Sequence, residues 1–146
     1  MKHIARMSWA IALIFLLHIP AGHAQTPADS LITSLITVDV TEAGTLSGLL
    51  SSRLRPYITK LKLIGQLNES DIGVIHEMAE EGRGVLSYLD LSEAELVPGG
   101  SFSGGYMVGK RTFFLFHDCV SLEIVKLPMS GIVGMEYAFY GCTNLT

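Results

Sequence analysis

One segment occurs twice near the end of the chain, first as Phe116-His-Asp-Cys119-Val-Ser-Leu122 and again as Phe139-Tyr-Gly-Cys142-Thr-Asn-Leu145. Phenylalanine, cysteine and leucine recur in one register, 23 residues apart. A period of about 20 to 29 residues is typical of leucine-rich repeats, in which each unit supplies one short strand. We therefore predict that this part of the chain is built from stacked repeats.

A second pattern, L-x-x-L-x-L, links this segment to the residues before it. Its three copies are Ile58-Thr-Lys-Leu61-Lys-Leu63, Leu86-Ser-Tyr-Leu89-Asp-Leu91 and Leu122-Glu-Ile-Val125-Lys-Leu127. The copies start 28 and 36 residues apart, and we interpret the glycine-rich residues 98–109 as a flexible loop inserted into the longer gap. Because alternate side chains of a strand share a face, the two leucines of L-x-L face the same side.

These patterns predict an α/β leucine-rich-repeat solenoid, with short parallel strands stacked in series and joined by helical or irregular returns. The strands would share one core and turn their polar side chains outward. The outward residues would be Lys60, Lys62, Ser87, Asp90 and Lys126. The predicted core is Leu61, Leu63, Leu89, Leu91, Phe116, Cys119, Leu122, Val125, Leu127, Phe139, Cys142 and Leu145.

The residues before the repeats have the pattern of a small strand-helix cap. Residues 31–41 are rich in β-branched side chains and predict a strand, and residues 44–53 predict a short helix with Leu46, Leu49 and Leu50 on one side. A longer helix is expected after Asn68, a good N-cap residue. We therefore divide the chain into residues 25–57, a disordered lead-in and cap, and residues 58–146, the repeats.

Residues 1–24 have the composition of a secretory signal peptide. Lys2 and Arg6 precede an apolar stretch at residues 7–19, and small residues precede a predicted cleavage point after Ala24. The apolar stretch is shorter than the roughly 20 residues that cross a bilayer. We therefore expect export to the cell surface, the periplasm or the medium, and no membrane span in the mature chain.

Overall charge argues against a nucleic-acid partner. The chain carries 10 Lys and Arg residues against 14 Asp and Glu residues, so its formal net charge is −4. Proteins that bind nucleic acids usually present a basic stripe or patch. The sequence contains none.

The C-terminal motifs resemble those of the BspA-like leucine-rich-repeat family of bacterial surface and secreted proteins. The resemblance is carried by a run of the form F-x-x-C-x-S-L-x-x-V-x-L-P, from Phe116 to Pro128, followed by A-F-x-G-C-x-x-L, from Ala138 to Leu145. It implies a right-handed solenoid used for adhesion or protein binding. The last repeat looks incomplete, so we expect either a fragment of a longer product or an open end that self-associates or meets a partner.

Two cysteines occupy equivalent positions of successive repeats. Cys119 and Cys142 would lie about one strand spacing apart, which allows either a disulfide or two buried thiols that pack in the core. A zinc site needs a cluster of His and Cys ligands, and the two cysteines with His76 and His117 do not form such a cluster in the sequence. We therefore predict no metal and no cofactor.

No catalytic motif is present, and we expect a protein that is not an enzyme. The serines near residue 102 lack the glycine spacing of a nucleophile elbow, and phosphate-binding glycine motifs are missing. We expect a binding module for a protein or glycan, with Phe102 and Tyr106 of the glycine-rich loop as candidate contacts. The alternatives are a structural N-terminal segment of a longer solenoid and, more remotely, a small secreted hydrolase.

Overall fold

A computed structural model describes residues 30–108, 111–128 and 134–146. The predicted signal peptide and nearly all of the predicted lead-in lie outside these residues. Within the described ranges, no helix combines the length and the apolar character needed to cross a membrane.

The fold is mixed α/β, with two sheets and two helices among the described residues. In chain order the elements are β1 (Ile36–Val40), α1 (Leu46–Leu49), β2 (Lys60–Leu67), α2 (Glu69–Ala79), β3 (Tyr88–Leu96), β4 (Tyr106–Val108), β5 (Arg111–Phe113), β6 (Ile124–Lys126) and β7 (Gly134–Glu136). A short 3-10 helix, Arg55–Tyr57, precedes β2. The larger sheet is parallel, in the order β1-β2-β3-β6, and the smaller one has the order β4-β5-β7.

The sequence spacings reappear as the register of the larger sheet. Leu61 of β2 pairs with Leu89 of β3, 28 residues later, and Leu89 pairs with Val125 of β6, 36 residues later. The pairing of β2 with β3 keeps this 28-residue offset up to Lys62, and the register then shifts between Lys62 and Ile64. The three copies of L-x-x-L-x-L therefore lie side by side.

The first strand of this sheet belongs to the same series, although it lacks the full pattern. Ile36 pairs with Leu61, and Val38 pairs with Leu63, so I-x-V in β1 occupies the place of L-x-L. In the sequence spacing, Thr33 falls at the first apolar position of the pattern, whereas in the structure Ile32 pairs with Ile58, the residue at that position of the next copy. The polar Thr33 hides the match in the sequence.

The smaller sheet has the 23-residue spacing of the duplicated segment. Strand β5 pairs with β7 in parallel, with Thr112 beside Met135, and β4 pairs with β5 in an antiparallel hairpin. Beyond β5 and β7, the rings of Phe116 and Phe139 stack with centroids 5.4 Å apart. Strand β4 lies within residues 98–109, which the sequence analysis interpreted as a loop, so residues 106–108 of that segment form a strand instead.

The core lies between the inward face of the larger sheet and helix α2. The side chains of Leu61, Leu63, Leu89 and Leu91 are fully buried, as are those of Phe116, Cys119 and Leu122. Helix α2 contributes Ile72, Ile75, Met78 and Ala79. Four further predicted core residues are half-buried and pack against this cluster: Val125, Phe139, Cys142 and Leu145.

Two leucines differ from the predictions, since Leu127 was assigned to the core and Leu49 to the same side of a helix as Leu46 and Leu50. Leu127 is 38% exposed because β6 ends at Lys126, so Leu127 no longer follows the alternation of the strand. Leu49 is 51% exposed because α1 is a single turn. Leu46 and Leu50, four residues apart, share its buried side. Both assignments were wrong.

Helix α2 begins at the predicted position. The side chain of Asn68 accepts a hydrogen bond from the backbone N–H of Ser70, and Asp71 accepts one from the backbone N–H of Asn68. This reciprocal capping satisfies backbone donors that the first turn of a helix leaves without partners. The predicted helix after Asn68 is confirmed.

Candidate binding surfaces

The outward face of the larger sheet presents a row of polar side chains across all four strands. Thr37, Lys62, Asp90 and Lys126 are register partners in β1, β2, β3 and β6. We call this face, with its neighbouring row Lys60, Tyr88 and Ile124, the outward face. Ile124 is 45% exposed there, which is unusual for a large apolar side chain in a strand.

Asp90 lies on this face, as its alternation predicts, but neighbouring side chains cover it and leave it only 5% exposed. The hydroxyl and backbone N–H of Ser92 donate to its Oδ1, at 2.6 and 3.0 Å. Tyr88 donates its hydroxyl to Oδ2 at 3.2 Å, and the ammonium of Lys126 lies 3.3 Å from the same oxygen. Burial raises the pKa of Asp90, but the hydrogen bonds from Ser92 and the charge of Lys126 outweigh it and hold the pKa at about 2.

The two lysines beside Asp90 are held in place by their neighbours. Lys126 lies over the ring of Tyr88, 5.5 Å from its centroid, and its pKa is raised by Tyr88 and Asp90. Lys62 forms an ion pair with Glu93, and that hydrogen bond is the main reason why its pKa is raised. The charges of the outward face are therefore arranged before any partner arrives.

A cleft of about 600 Å³ lies on the other side of α2. Its walls are α2, the 3-10 helix Arg55–Tyr57 and the glycine-rich residues 101–104, with His117 at one end. Four serines are among the residues that line it: Ser47, Ser70, Ser101 and Ser103. This volume is within the range of small-molecule sites.

Phe102, one of the two predicted contact residues, forms a wall of this cleft. Its ring lies so close to α2 that a Cβ atom on Gly73 would be 3.2 Å from it. The ring is half-buried and packs against the core, with its centroid 5.1 Å from that of His76. The backbone of Tyr106, the other predicted contact, is in β4, and its side chain lies outside the described part of the chain.

The glycine-rich segment is docked on the start of α2. Gly99 accepts a hydrogen bond from the backbone N–H of Glu69 at 3.0 Å, and Ser101 donates its own N–H to the hydroxyl of Ser70 at 3.1 Å. A Cβ on Gly100 would be 2.6 Å from that hydroxyl, so only glycine allows this approach. Residues 97–105 therefore form a loop without helix or strand, as predicted, and part of this loop is docked on α2.

Two histidines form the inner end of the cleft. His76 is 7% exposed and donates Nε2–H to the carbonyl of His117 at 2.8 Å. Burial lowers the pKa of His76, so its ring is neutral near pH 7. His117 in turn donates Nδ1–H to the carbonyl of Phe114 at 2.6 Å.

Two arginines of the cleft lie beside glutamates. Arg55 is 3.8 Å from Glu77, and Arg83 is 3.3 Å from Glu80. The opposite charges offset each other along the walls. In the described residues no group of three or more His, Cys, Asp and Glu side chains gathers in a way that could hold a metal ion.

Cys119 and Cys142 are free thiols. Cys142 donates a hydrogen bond from its thiol to the carbonyl of Phe116 at 2.8 Å. Burial raises the pKa of both cysteines, and it raises that of the fully buried Cys119 most strongly. Since the thiolate is the reactive form, both groups are poor nucleophiles in this environment.

No family model matches this chain, and no curated protein matches it. The resemblance to leucine-rich repeats therefore rests on the residues and spacings given above.

Proposed function

We propose that the protein is an exported, non-catalytic leucine-rich-repeat module that binds a protein partner through its outward face. The fold supports the repeat assignment in one respect. Its four parallel strands follow one another in chain order, with L-x-L residues of neighbouring strands in register. Strands added in series by short crossovers are the arrangement expected of repeat proteins.

The observation that carries the binding proposal is the composition of the outward face. Ordinary surface strands alternate apolar residues inward with polar residues outward. Here Ile124 and Tyr88 lie in one row with Lys60, beside a row in which Lys126 and Lys62 are fixed by acidic neighbours. Apolar and aromatic side chains framed by prearranged charges are typical of protein interfaces.

The partner we propose is a folded protein that offers apolar side chains opposite Ile124 and a carboxylate near Lys60. Lys60 is exposed and, unlike Lys62 and Lys126, forms no ion pair within the described residues. A carboxylate from a partner would complete its charge pairing. Because the neighbouring lysines are already fixed, binding would cost little side-chain ordering there.

Site-specific photocrosslinking in the native host tests this proposal. A benzoylphenylalanine replaces either Ile124, on the outward face, or Leu49, which is equally exposed on α1. We expect a protein adduct from position 124 and none from position 49. In the chain with a crosslinker at Thr37, the further substitution Ile124→Glu should remove the adduct, while Leu49→Glu should leave it intact.

Two results would contradict the proposal. Equal adducts at positions 124 and 49 would show non-specific contact, and no adduct from the outward face would favour a purely structural role. Export is tested separately, by N-terminal sequencing of the protein recovered outside the cytoplasm. A mature chain that begins at Gln25 would support the predicted cleavage.

A further inference from the structure

We propose that the cleft beside α2 binds a short, uncharged oligosaccharide. None of the residues that line the cleft belongs to the outward face, and the proposal is independent of the protein-binding function. It rests on the fixed walls of the cleft, on the balance of its charges and on the kinds of polar groups that line it.

The walls of the cleft are already in place without a ligand. Residues 99–104 are held to the start of α2 by two hydrogen bonds, and Phe102 fills the space left by the missing side chain of Gly73. On the opposite edge of the ring, Gly104 leaves room where a Cβ would be 2.4 Å from Phe102 and 2.7 Å from His117. A site built on such close contacts keeps its shape, so little binding energy is spent on ordering it.

The charges of the cleft argue against an ionic ligand. Arg55 and Arg83 lie beside Glu77 and Glu80, so an anion or a cation would meet one attractive and one repulsive partner at each wall. His76 is buried and uses its Nε2–H within the protein, so it adds no positive charge near pH 7. A ligand without net charge avoids both repulsions.

The remaining groups suit a ligand with many hydroxyls. The lining residues Ser47 and Ser103 carry hydroxyl groups, Glu77 carries a carboxylate, and His117 carries an imidazole. Phe102 supplies an apolar surface among them. A pyranose ring has the matching surfaces, since its C–H bonds pack on an aromatic ring while its hydroxyls donate and accept hydrogen bonds at the edges.

Nuclear magnetic resonance titration of the full chain provides the test. The probes are maltotriose, cellotriose and triacetylchitotriose, each added up to about 10 mM, a range that detects even weak binding. We expect at least one of them to shift the backbone amide signals of residues 101–104 and α2 in a saturable way. The signals of β1 and β6, on the outward face, should stay unchanged.

Substitutions at the cleft separate recognition from folding. Phe102→Leu keeps an apolar side chain against Gly73 but removes the aromatic ring, and we expect it to weaken binding at least about tenfold. Glu77→Ala, at a residue with an exposed side chain, should weaken binding without loss of folding. Tyr140→Ala removes an exposed aromatic ring that does not line the cleft and should bind like the unmodified chain.

Several outcomes would overturn the proposal. No saturable shift with any of the three sugars would do so, as would shifts that occur away from the cleft. Shifts caused by sodium sulfate but by none of the sugars would identify an anion site. Ile124 does not line the cleft, so the Ile124→Glu variant should still bind the sugar even if it no longer binds a protein partner. The two proposals are therefore tested independently.

Discussion

The carboxylate of Asp71, in the first turn of α2, accepts a hydrogen bond at 2.9 Å from the backbone N–H of Leu46, at the start of α1. Its other oxygen accepts from the backbone N–H groups of Gly44 and Asn68. Asp71 is fully buried, so water cannot replace these bonds. One side chain thus joins the beginnings of two helices, through a hydrogen bond between residues that are 25 positions apart in sequence.

We expect Asp71→Ala to destabilise the protein by about 3 kcal/mol, because it leaves three backbone N–H groups without their acceptor. Urea denaturation followed by circular dichroism measures the loss. Glu81→Ala, at an exposed carboxylate just after α2, is the matched control and should change stability by less than about 0.5 kcal/mol. Equal stability of the two variants would contradict this role of Asp71.

The position of the core predicts different effects for two leucines of the same repeat pattern. Leu91 is fully buried, whereas Leu127, at the equivalent place of the third copy, is 38% exposed. Leu91→Asp should prevent cooperative folding because it places an unpaired charge in the core. Leu127→Asp should fold with a thermal midpoint within a few degrees of the original, and a cooperative thermal transition of Leu91→Asp would show that the register is wrong.

The strand register could be predicted from the sequence because three segments have apolar residues at the same internal spacing. Leu61, Leu89 and Val125 lie side by side at the offsets of 28 and 36 residues that their pattern indicates. Strand β1 was not recognised as a member of this series because Thr33 interrupts the pattern, although Ile36 and Val38 occupy the right places.

The cleft could not be predicted in the same way because it depends on contacts between distant segments. Phe102 could be singled out as an aromatic residue in a glycine-rich segment, but nothing in its neighbourhood indicates that it docks on Gly73. Asp90 has the alternation of a solvent-facing residue, and its burial follows from Lys126 and Tyr88 on either side. Such effects belong to tertiary packing and leave no local pattern.

The low pKa of Asp90 predicts a loss of stability in acid. Its ordinary pKa is 3.8, and hydrogen bonds in the folded protein hold the pKa at about 2. The stabilisation is therefore complete above about pH 4 and is lost as the pH falls toward 2, by about 1 to 2 kcal/mol. Urea midpoints at pH 5 and pH 2.5 measure this change, and Asp90→Asn should show a smaller difference between the two pH values.

The backbone at Gly65 predicts a strong dependence on glycine. Its φ angle is +93°, and a Cβ there would be 2.4 Å from the carbonyl oxygen of Val40, its partner in β1. Gly65→Ala should therefore cost about 2 kcal/mol or more, through both strain and the clash. Gly48→Ala is the contrasting variant, because Gly48 lies in α1 with open space around it and should gain up to about 1 kcal/mol. A neutral Gly65→Ala variant would contradict the pairing of β1 with β2.

The buried His76 predicts a second effect of pH, at less acidic values. Burial lowers its pKa below the ordinary 6.5, and the hydrogen bond to the carbonyl of His117, together with the charges of Glu80 and Asp118, opposes this only in part. The unfolded chain therefore binds a proton more readily than the folded one, so the free energy of unfolding falls as the pH drops below about 6.5. It stops falling once the pH is below the pKa of the folded state.

Unfolding measured between pH 7.5 and pH 5.5 isolates this effect, because carboxylates titrate mainly at lower pH. His76→Gln keeps an N–H that can donate to the carbonyl of His117 but removes the titration. We expect this variant to show a clearly smaller change in stability across that range than the original chain. An unchanged slope would mean that another group titrates and that His76 accepts a proton as easily in the folded protein as in the unfolded one.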